Sequence, residues 1–248
     1  GEAEDFIEHL FTASTHDYLM FFTTTGRVYV RRVHEIPDMG RSAKGRNIAN
    51  LLELQSGEKI AALIRVESHL GSDKENLTWQ QEQFLFFATE SGTVKKTALN
   101  AYANVRRTGI NAIGINEGDR LITVKLTTGH DEVVLITSDG KSIRFNEENV
   151  RSMGRTAAGV RGIRLGKKDR LVAAAIVVKD ATLLVAGENG IGKRTEFDEY
   201  RTQARGGKGI ITMKTTAKTG EVCGALAVKS NDEIMLITVG GQMVRTGV

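Results

Sequence analysis

The stretch DEVVLITSDGKSIRF, at residues 131–145, decides the fold. An aliphatic run leads into Asp139-Gly140, and a second run with alternating apolar residues follows it. Short runs rich in Val, Ile and Leu and bounded by turn residues are typical of strands, and an Asp-Gly dipeptide between them is a strong hairpin signal. The stretch therefore predicts an antiparallel hairpin closed by a two-residue turn at Asp139-Gly140.

The same hairpin pattern recurs along the chain. An apolar run, a turn ending in glycine and a strand carrying basic residues appear again as YLMFFTTTGRVYV, FLFFATESGTVKK, LLVAGENGIGKR and IMLITVGGQMVR. The first interval between turns is long because it contains a polar insert at 69–83. A period of about 50 residues predicts a repeat architecture. The turn glycines are Gly26, Gly92, Gly140, Gly190 and Gly241, at intervals of 66, 48, 50 and 51 residues.

Each hairpin is followed by further strand signals in a fixed order. In the clearest copy these are a basic, glycine-containing loop at 150–162, a short run at 163–165, a Gly/Asp turn at 166–169 and an apolar run at 171–178. Each unit therefore supplies four short strands, and no window keeps the apolar stripe of a helix for three turns. Units of this size cannot bury both faces alone, so they must stack. The sequence predicts an all-β, propeller-like fold with scarce helix.

The repeats predict a single domain over residues 1–248, with five to six four-stranded blades of about 50 residues each. Residues 1–7 align with residues 166–172, so the chain begins in the second half of one repeat and stops in the first half of another. Either these halves join into one composite blade, or the chain is a piece of a longer protein. The predicted repeats are roughly 15–66, 82–126, 131–178 and 181–228, with partial repeats at 1–14 and 231–248.

Composition excludes several classes of protein. The 248 residues carry 34 Lys and Arg against 30 Asp and Glu, and a net charge of +4 is too mild for a histone-like tail or a polybasic membrane anchor. No apolar stretch has the length of a spanning helix, and the acidic N-terminus has no signal-peptide pattern. The single cysteine, Cys223, agrees with a reducing cytoplasm. Five scattered histidines without cysteine pairs predict no metal site, and no cofactor or catalytic set is predicted.

Basic residues concentrate in the same loop of each repeat, where acidic residues are absent. Because this loop occupies one structural position per repeat, stacking should gather the clusters around one rim of a disc. DNA phosphates bind such cations largely through the release of condensed counterions, and a convex rim would require the duplex to bend. The acid-free loops are 39–52 with Arg41, Lys44 and Arg46, 101–116 with Arg106 and Arg107, 149–168 with Arg151, Arg155, Arg161, Arg164, Lys167 and Lys168, and 200–220 with Arg201, Arg205, Lys208, Lys214 and Lys218.

The predicted partner is double-stranded DNA, held by phosphate contacts that do not read its sequence. Few aromatic residues accompany the loops, chiefly Tyr102 and Tyr200, which disfavours a stacking platform for single strands. A protein-interaction propeller is the alternative from another class, because other propeller families use repeats of similar length. The chain is expected to bind no membrane and to be monomeric in isolation. The predicted DNA contacts are Arg41, Lys44, Arg46, Lys95, Lys96, Arg106, Arg107, Arg151, Arg155, Arg161, Arg201, Arg205 and Lys208.

These repeats resemble the C-terminal domain of bacterial DNA gyrase A, a type II topoisomerase component, over essentially the whole chain. The resemblance implies a β-pinwheel, whose blades exchange strands, and the wrapping of duplex DNA around the basic rim in support of negative supercoiling. It also implies assembly with the rest of gyrase A and with gyrase B, a cytoplasmic, nucleoid-associated location, and no catalytic residue in this segment. The likeness is carried by THDYLMFFTTTGRVYVRRVHEIP at 15–37, GTVKKT at 92–97, DEVVLITSDGKSIRF at 131–145 and GVRGIRLGKKDRLV at 159–172.

One family motif departs from its expected place. The family's heptad QRRGGKG belongs in the first blade, whereas the nearest match here is QARGGKG at 203–209, in the fourth repeat, with Ala204 in place of an arginine. The resemblance implies DNA contact for Arg205 and Lys208 but not the heptad's special part in completing the wrap. The equivalent domain of topoisomerase IV, which wraps DNA less, therefore stays open as an alternative.

Overall fold

The structure, a computed structural model, describes residues 16–36, 51–67, 79, 82–229, 233–237 and 243–247, the last two ranges by their backbone alone. It assigns strands throughout these ranges and four short 3₁₀ turns, at Val33–Glu35, Leu99–Tyr102, Glu147–Asn149 and Phe197–Glu199. No helix in the described ranges is long and apolar enough to cross a membrane. The prediction of an all-β fold is confirmed.

In repeats 2, 3 and 4 the strands follow the order that the sequence predicts, with a hairpin, a two-residue strand and a longer strand in turn. Their bounds are β1 Tyr18–Thr23, β2 Arg27–Arg32, β3 Ile60–Val66, β4 Phe84–Thr89, β5 Thr93–Ala98, β6 Ile110–Asn111, β7 Leu121–Thr127, β8 Glu132–Thr137, β9 Lys141–Asn146, β10 Val160–Arg161, β11 Leu171–Ile176, β12 Thr182–Gly187, β13 Gly192–Glu196, β14 Ile210–Ile211, β15 Val222–Val228, β16 Glu233–Ile237 and β17 Met243–Gly247.

The first three sheets each contain a strand that comes from the following repeat. Blade 1 has the strand order β3-β1-β2-β6, blade 2 the order β10-β5-β4-β7, and blade 3 the order β11-β8-β9-β14. In each blade the hairpin and the long strand belong to one repeat, whereas β6, β10 and β14 lie in the next one. This strand exchange is the arrangement of a β-pinwheel. Blade 4 is described by three strands, β13-β12-β15, and β16 pairs with β17 in a further hairpin.

The hairpin turns are one residue longer than the sequence predicts. In the β8–β9 hairpin, residues 138–140 separate Thr137 from Lys141, so the loop has three residues rather than the two at Asp139-Gly140. Gly140 closes this loop with a φ of +81°. Three-residue hairpin loops are commonly a tight turn followed by one left-handed residue, and glycine adopts that conformation without steric cost. The prediction of a hairpin turn at Gly140 is therefore confirmed, and the prediction of a two-residue loop is wrong.

The same glycine also holds the neighbouring repeat. The Gly140 carbonyl accepts hydrogen bonds from the N–H groups of Thr212, at 2.9 Å, and Met213, at 3.1 Å. A Cβ on Gly140 would overlap the Met213 carbonyl oxygen, so no other residue fits. The paired contact repeats from Gly26 to Ala112 and Ile113, and from Gly92 to Gly162 and Ile163.

Hydrophobic side chains form separate cores between adjacent blades. Between blades 1 and 2, Phe22 lies edge-on to Phe87 with ring centroids 5.6 Å apart, and Tyr102 packs on both rings. Between blades 2 and 3, Phe86 contacts Phe145 with ring centroids 6.3 Å apart. Burying a side chain of this size contributes roughly 1.5–3 kcal/mol. Each blade therefore depends on its neighbours for stability.

The packing of the blades defines an inner and an outer edge. The long strand at one edge of each sheet contacts its counterpart in the next blade, β3 against β7, β7 against β11 and β11 against β15. These four strands therefore surround the middle of the assembly. The exchanged strands β6, β10 and β14 lie at the opposite edge of their sheets. They form the outer edge, and the segments that lead into them lie there too.

Candidate nucleic-acid interface

Three segments at the outer edge carry most of the predicted DNA contacts. Each begins just after a 3₁₀ turn and ends with an exchanged strand, and we call residues 103–111, 151–161 and 201–211 the rim segments of repeats 2, 3 and 4. Their left-handed glycines, such as Gly206 with a φ of +88°, allow tight turns that other residues rarely adopt. The repeat architecture thus brings the three basic segments to the same edge.

Eight of the predicted cations lie on the rim segments, and all reach the surface. Arg155 and Arg205 are partly exposed, and the other six are exposed: Arg106, Arg107, Arg151, Arg161, Arg201 and Lys208. Arg41, Lys44 and Arg46, the predicted contacts of the first repeat, lie outside the described residues.

Carboxylates neutralise little of this charge. Of the eight rim cations, only Arg107 forms an ion pair in the described part of the chain, with its Nη1 2.9 Å from an Oε2 of Glu35. Partial burial raises the pKa of Glu35, but the hydrogen bond and positive charge of Arg107 outweigh it, and the net pKa is lowered. Exposed acids stand in the 3₁₀ turns that precede two rim segments, at Glu148, Asp198 and Glu199. The acid-free stretch thus begins where each turn ends.

Lys95 is an interior residue, and the prediction that it contacts DNA is wrong. Its side chain is fully buried beside the Phe87 ring, and its Nζ donates to the carbonyl oxygens of Ala112 at 2.7 Å, Gly154 at 3.1 Å and Arg155 at 2.8 Å. Burial, and to a smaller extent the charge of Arg155, lowers the pKa of Lys95 to about 7. The Lys95 side chain therefore fastens Ala112, which follows the rim segment of repeat 2, and the rim segment of repeat 3 to blade 2, and it does not reach a phosphate.

Lys96 is also withdrawn from the DNA contacts, because only 6% of it is exposed. Its Nζ donates to the Glu147 carbonyl at 3.1 Å and lies 3.9 Å from the carboxylate of the same residue, which is fully buried. Arg144, at the same position of the next hairpin, donates from Nη1 to the Phe197 carbonyl at 2.7 Å. Both acceptors belong to the first residue of the next repeat's 3₁₀ turn. In these two hairpins the basic residue four places after the turn glycine is therefore an inter-blade contact.

Arg155 and Arg205 occupy equivalent positions and are held by backbone carbonyls. Arg205 donates from Nε to the Asn149 oxygen at 3.0 Å and from Nη1 to the Arg161 oxygen at 3.1 Å. Arg155 donates from Nη1 to the Asn111 oxygen at 3.2 Å. Asn111 and Arg161 are the last residues of the exchanged strands β6 and β10. These two guanidinium groups are thus oriented before any ligand binds.

The family comparison agrees with this architecture. The sequence model of the family described as "DNA gyrase C-terminal domain, beta-propeller" matches residues 17–67, 83–128, 131–177 and 181–229. The chain belongs to the DNA gyrase C-terminal domain family. Each matched range of this gyrase-type domain contains one hairpin and one long strand, and the last three ranges also contain a two-residue strand, β6, β10 or β14.

Curated relatives of the gyrase-type domain extend the match to nearly the whole chain. The DNA gyrase A protein of Salmonella typhimurium is 44% identical over 99% of this chain and 27% of its own length. Its counterpart from Escherichia coli is 44% identical over the same shares, and that of Haloquadratum walsbyi is 42% identical over 98% of this chain and 28% of its own length. The chain therefore spans about a quarter of these relatives.

Solved structures are similar in both topoisomerase branches. The C-terminal domain of DNA topoisomerase IV superposes with a TM-score of 0.79 at 28% identity, covering 94% of this chain and 70% of that one. A DNA gyrase A C-terminal domain superposes with a TM-score of 0.76 at 27% identity, covering 94% of this chain and 73% of that one. The fold is common to both branches, and the 44% identical relatives named above are gyrase proteins.

The DNA contacts predicted from the sequence of the gyrase-type domain did not include two sets of residues that the structure places at the basic edge. Arg164 and Lys214 follow the exchanged strands by three residues and are exposed, so they extend the basic edge, and their place in the acid-free loops was the available signal. The β-strand carbonyls that hold Arg155 and Arg205 lie 44 residues away, and no local pattern indicates them.

Proposed function

We propose that this gyrase-type domain is a non-catalytic module that binds duplex DNA and bends it around the outer edge of a single pinwheel. Within the whole enzyme, together with the rest of gyrase A and with gyrase B, the wrap supports negative supercoiling. The observation that carries the proposal is the repetition of exposed cations on three rim segments, of which a single one is paired with a carboxylate in the described residues.

The chemistry of these segments suits phosphates rather than bases. Arginine guanidinium groups donate several hydrogen bonds to phosphate oxygens, and glycines such as Gly207 allow the backbone to approach a strand closely. Cations spread along a curved edge contact successive phosphates only if the duplex follows the curve. The proposal therefore predicts binding without sequence preference and a bent product.

A salt titration with a duplex long enough to follow the edge tests the proposal. For six to ten phosphate contacts the affinity should fall about 10³- to 10⁵-fold between about 50 and 200 mM salt. Replacing two exposed rim cations, Arg151→Gln and Arg201→Gln, should lower the slope of log affinity against log salt by about 2, since each lost contact removes about 0.9.

Lys59 and Lys179 provide the matched control. Both are exposed, and they lie away from the rim segments, directly before β3 and in the turn before β12. The variant Lys59→Gln/Lys179→Gln changes the net charge by the same amount and should leave the slope nearly unchanged. Equal losses in the two variants, or binding that hardly responds to salt, would contradict the proposal.

A topoisomerase IV type of domain is the second candidate, favoured by the TM-score of 0.79 to that enzyme's C-terminal domain and by the altered heptad at 203–209. The two candidates differ in the extent of the wrap. Measuring the linking-number change that the bound chain imposes on relaxed circular DNA separates them, because a full wrap constrains a larger change than simple bending.

A further inference from the structure

We propose that Arg155 and Arg205 are staples that join consecutive exchanged strands and set the curvature presented to DNA. The inference rests on the proposed function and goes beyond it, because it assigns these two arginines a different role from the other rim cations. In this role a phosphate bound to a staple fixes the spacing between neighbouring blades.

The staples form a continuous series along the outer edge. Arg155, in the rim segment that ends in β10, holds the last carbonyl of β6. Arg205, in the rim segment that ends in β14, holds the last carbonyl of β10. Because β6, β10 and β14 belong to the sheets of blades 1, 2 and 3, the two side chains connect three successive blades.

Each staple keeps donors for a ligand. A guanidinium group carries five N–H bonds. The described contacts occupy two of them in Arg205 and one in Arg155, so three and four remain. Both side chains are partly exposed, and neither is within ion-pair distance of a carboxylate in the described ranges. The remaining N–H groups can therefore donate to phosphate oxygens in a direction that the carbonyl contacts already fix.

A second pair of rim arginines has side chains that no described hydrogen bond holds in place. Arg151 and Arg201 lie four residues before Arg155 and Arg205 in the same rim segments. Both are exposed, and neither makes a side-chain hydrogen bond or ion pair within the described residues. They attract DNA through their charge, but they do not fix its direction. The chain thus offers a matched pair of staples and a matched pair of free arginines.

The coupling between phosphate binding at a staple and the stability of the exchanged strand that it holds works in both directions. If a bound phosphate holds a staple in place, the staple also holds the exchanged strand more firmly, because binding couplings are reciprocal. DNA should then slow the hydrogen exchange of the β6 and β10 amides. A free arginine gives no such coupling.

The test compares Arg155→Lys/Arg205→Lys with Arg151→Lys/Arg201→Lys in the 248-residue chain. Lysine keeps each charge but cannot form the planar fork of donors. The staple variant should bind a rim-length duplex about tenfold more weakly and bend it less, as measured by energy transfer between end labels, while its salt slope stays unchanged. The Arg151→Lys/Arg201→Lys variant should also bind about two- to threefold more weakly, because these arginines are themselves rim cations, but it should keep the bend.

Hydrogen exchange distinguishes a staple that responds to DNA from an arginine that only stabilises the fold, because DNA would not change the protection in the second case. DNA should protect the amides of β6 and β10, whose last carbonyls the staples hold, in the wild type and in the Arg151→Lys/Arg201→Lys variant, and not in the staple variant. Equal bending and equal protection in both variants would overturn the staple inference while leaving the proposed function intact. A wild type without salt-dependent binding would instead refute the proposed function. If the double staple variant is unfolded, the single changes Arg155→Lys and Arg205→Lys are read by the same criteria.

Discussion

The β8–β9 hairpin and the rim segment of repeat 4 lie side by side and use the same residue types in opposite ways. In the hairpin, Gly140 and the strand cation Arg144 hold the neighbouring repeat through backbone carbonyls. In the rim segment, Gly207 and Lys208 are exposed. The difference is one of position, because a strand packed between two blades is largely buried whereas a loop at the outer edge is exposed. Glycines and cations in this fold therefore have no function that residue type alone predicts.

The largest expected effect comes from adding one methyl group to each glycine. Gly140→Ala should destabilise the chain by at least about 4 kcal/mol, because it forces a left-handed alanine and places a Cβ against the Met213 carbonyl. Gly207→Ala should change the free energy of unfolding by less than about 1 kcal/mol, since its Cβ would lie 3.8 Å from the nearest atom, in ordinary contact with Ile143. Denaturant titration of both variants measures the contrast, and similar losses would show that the hairpin turn is not a junction.

A smaller effect is expected from the buried strand cation. Lys96→Met should cost about 2–3 kcal/mol, which is less than the full cost of breaking a buried pair because the Glu147 carboxylate keeps hydrogen bonds from Thr127 and the Asp131 N–H, each at 2.8 Å. Adding Glu147→Gln should recover part of the loss in a double-mutant cycle. The exposed Arg201→Met should stay within about 0.5 kcal/mol. No recovery in the cycle would mean that the two side chains do not interact.

The sequence predicted the repeat, the all-β fold and the turn glycines because these depend on local patterns of apolar residues and turn chemistry. It failed for Lys95 and Lys96 for a physical reason. In an exposed hairpin at least one of two consecutive strand lysines faces solvent, but here the next repeat covers both faces of β5, with Gly154 and Arg155 at Lys95 and Glu147 at Lys96. The recurrence of a cation four residues after Gly92 and Gly140 was a usable signal, since solvent exposure alone gives no reason for such regular spacing.

The pH dependence of stability separates the buried strand cation Lys95 from the exposed cations of the rim segments. Burial lowers its pKa in the folded chain to about 7 from an ordinary value of 10.5, so the native state holds fewer protons than the unfolded state between these two values. Stability should therefore rise with pH through this window, and the penalty for the buried charge is fully present only below pH 7. Relative to Lys95→Met, the wild type should gain about 1–2 kcal/mol between about pH 7 and 9. A constant difference between the two curves would show that Lys95 stays charged.

The smallest effect concerns the one rim cation that has a carboxylate partner in the described residues. Glu35→Gln removes the negative charge 2.9 Å from Arg107, so no rim cation would then have a carboxylate partner in the described residues. Exposed ion pairs contribute at most about 1 kcal/mol, and stability should hardly change. Affinity for duplex DNA should rise about twofold, because the guanidinium no longer has to leave a carboxylate to meet a phosphate. Glu67→Gln is the control, since Glu67 directly follows the inner strand β3 and pairs with Arg65 of that strand, and its loss changes the net charge equally. If both variants raise the affinity by the same factor, DNA responds to the total charge of the chain and not to the charge of the rim.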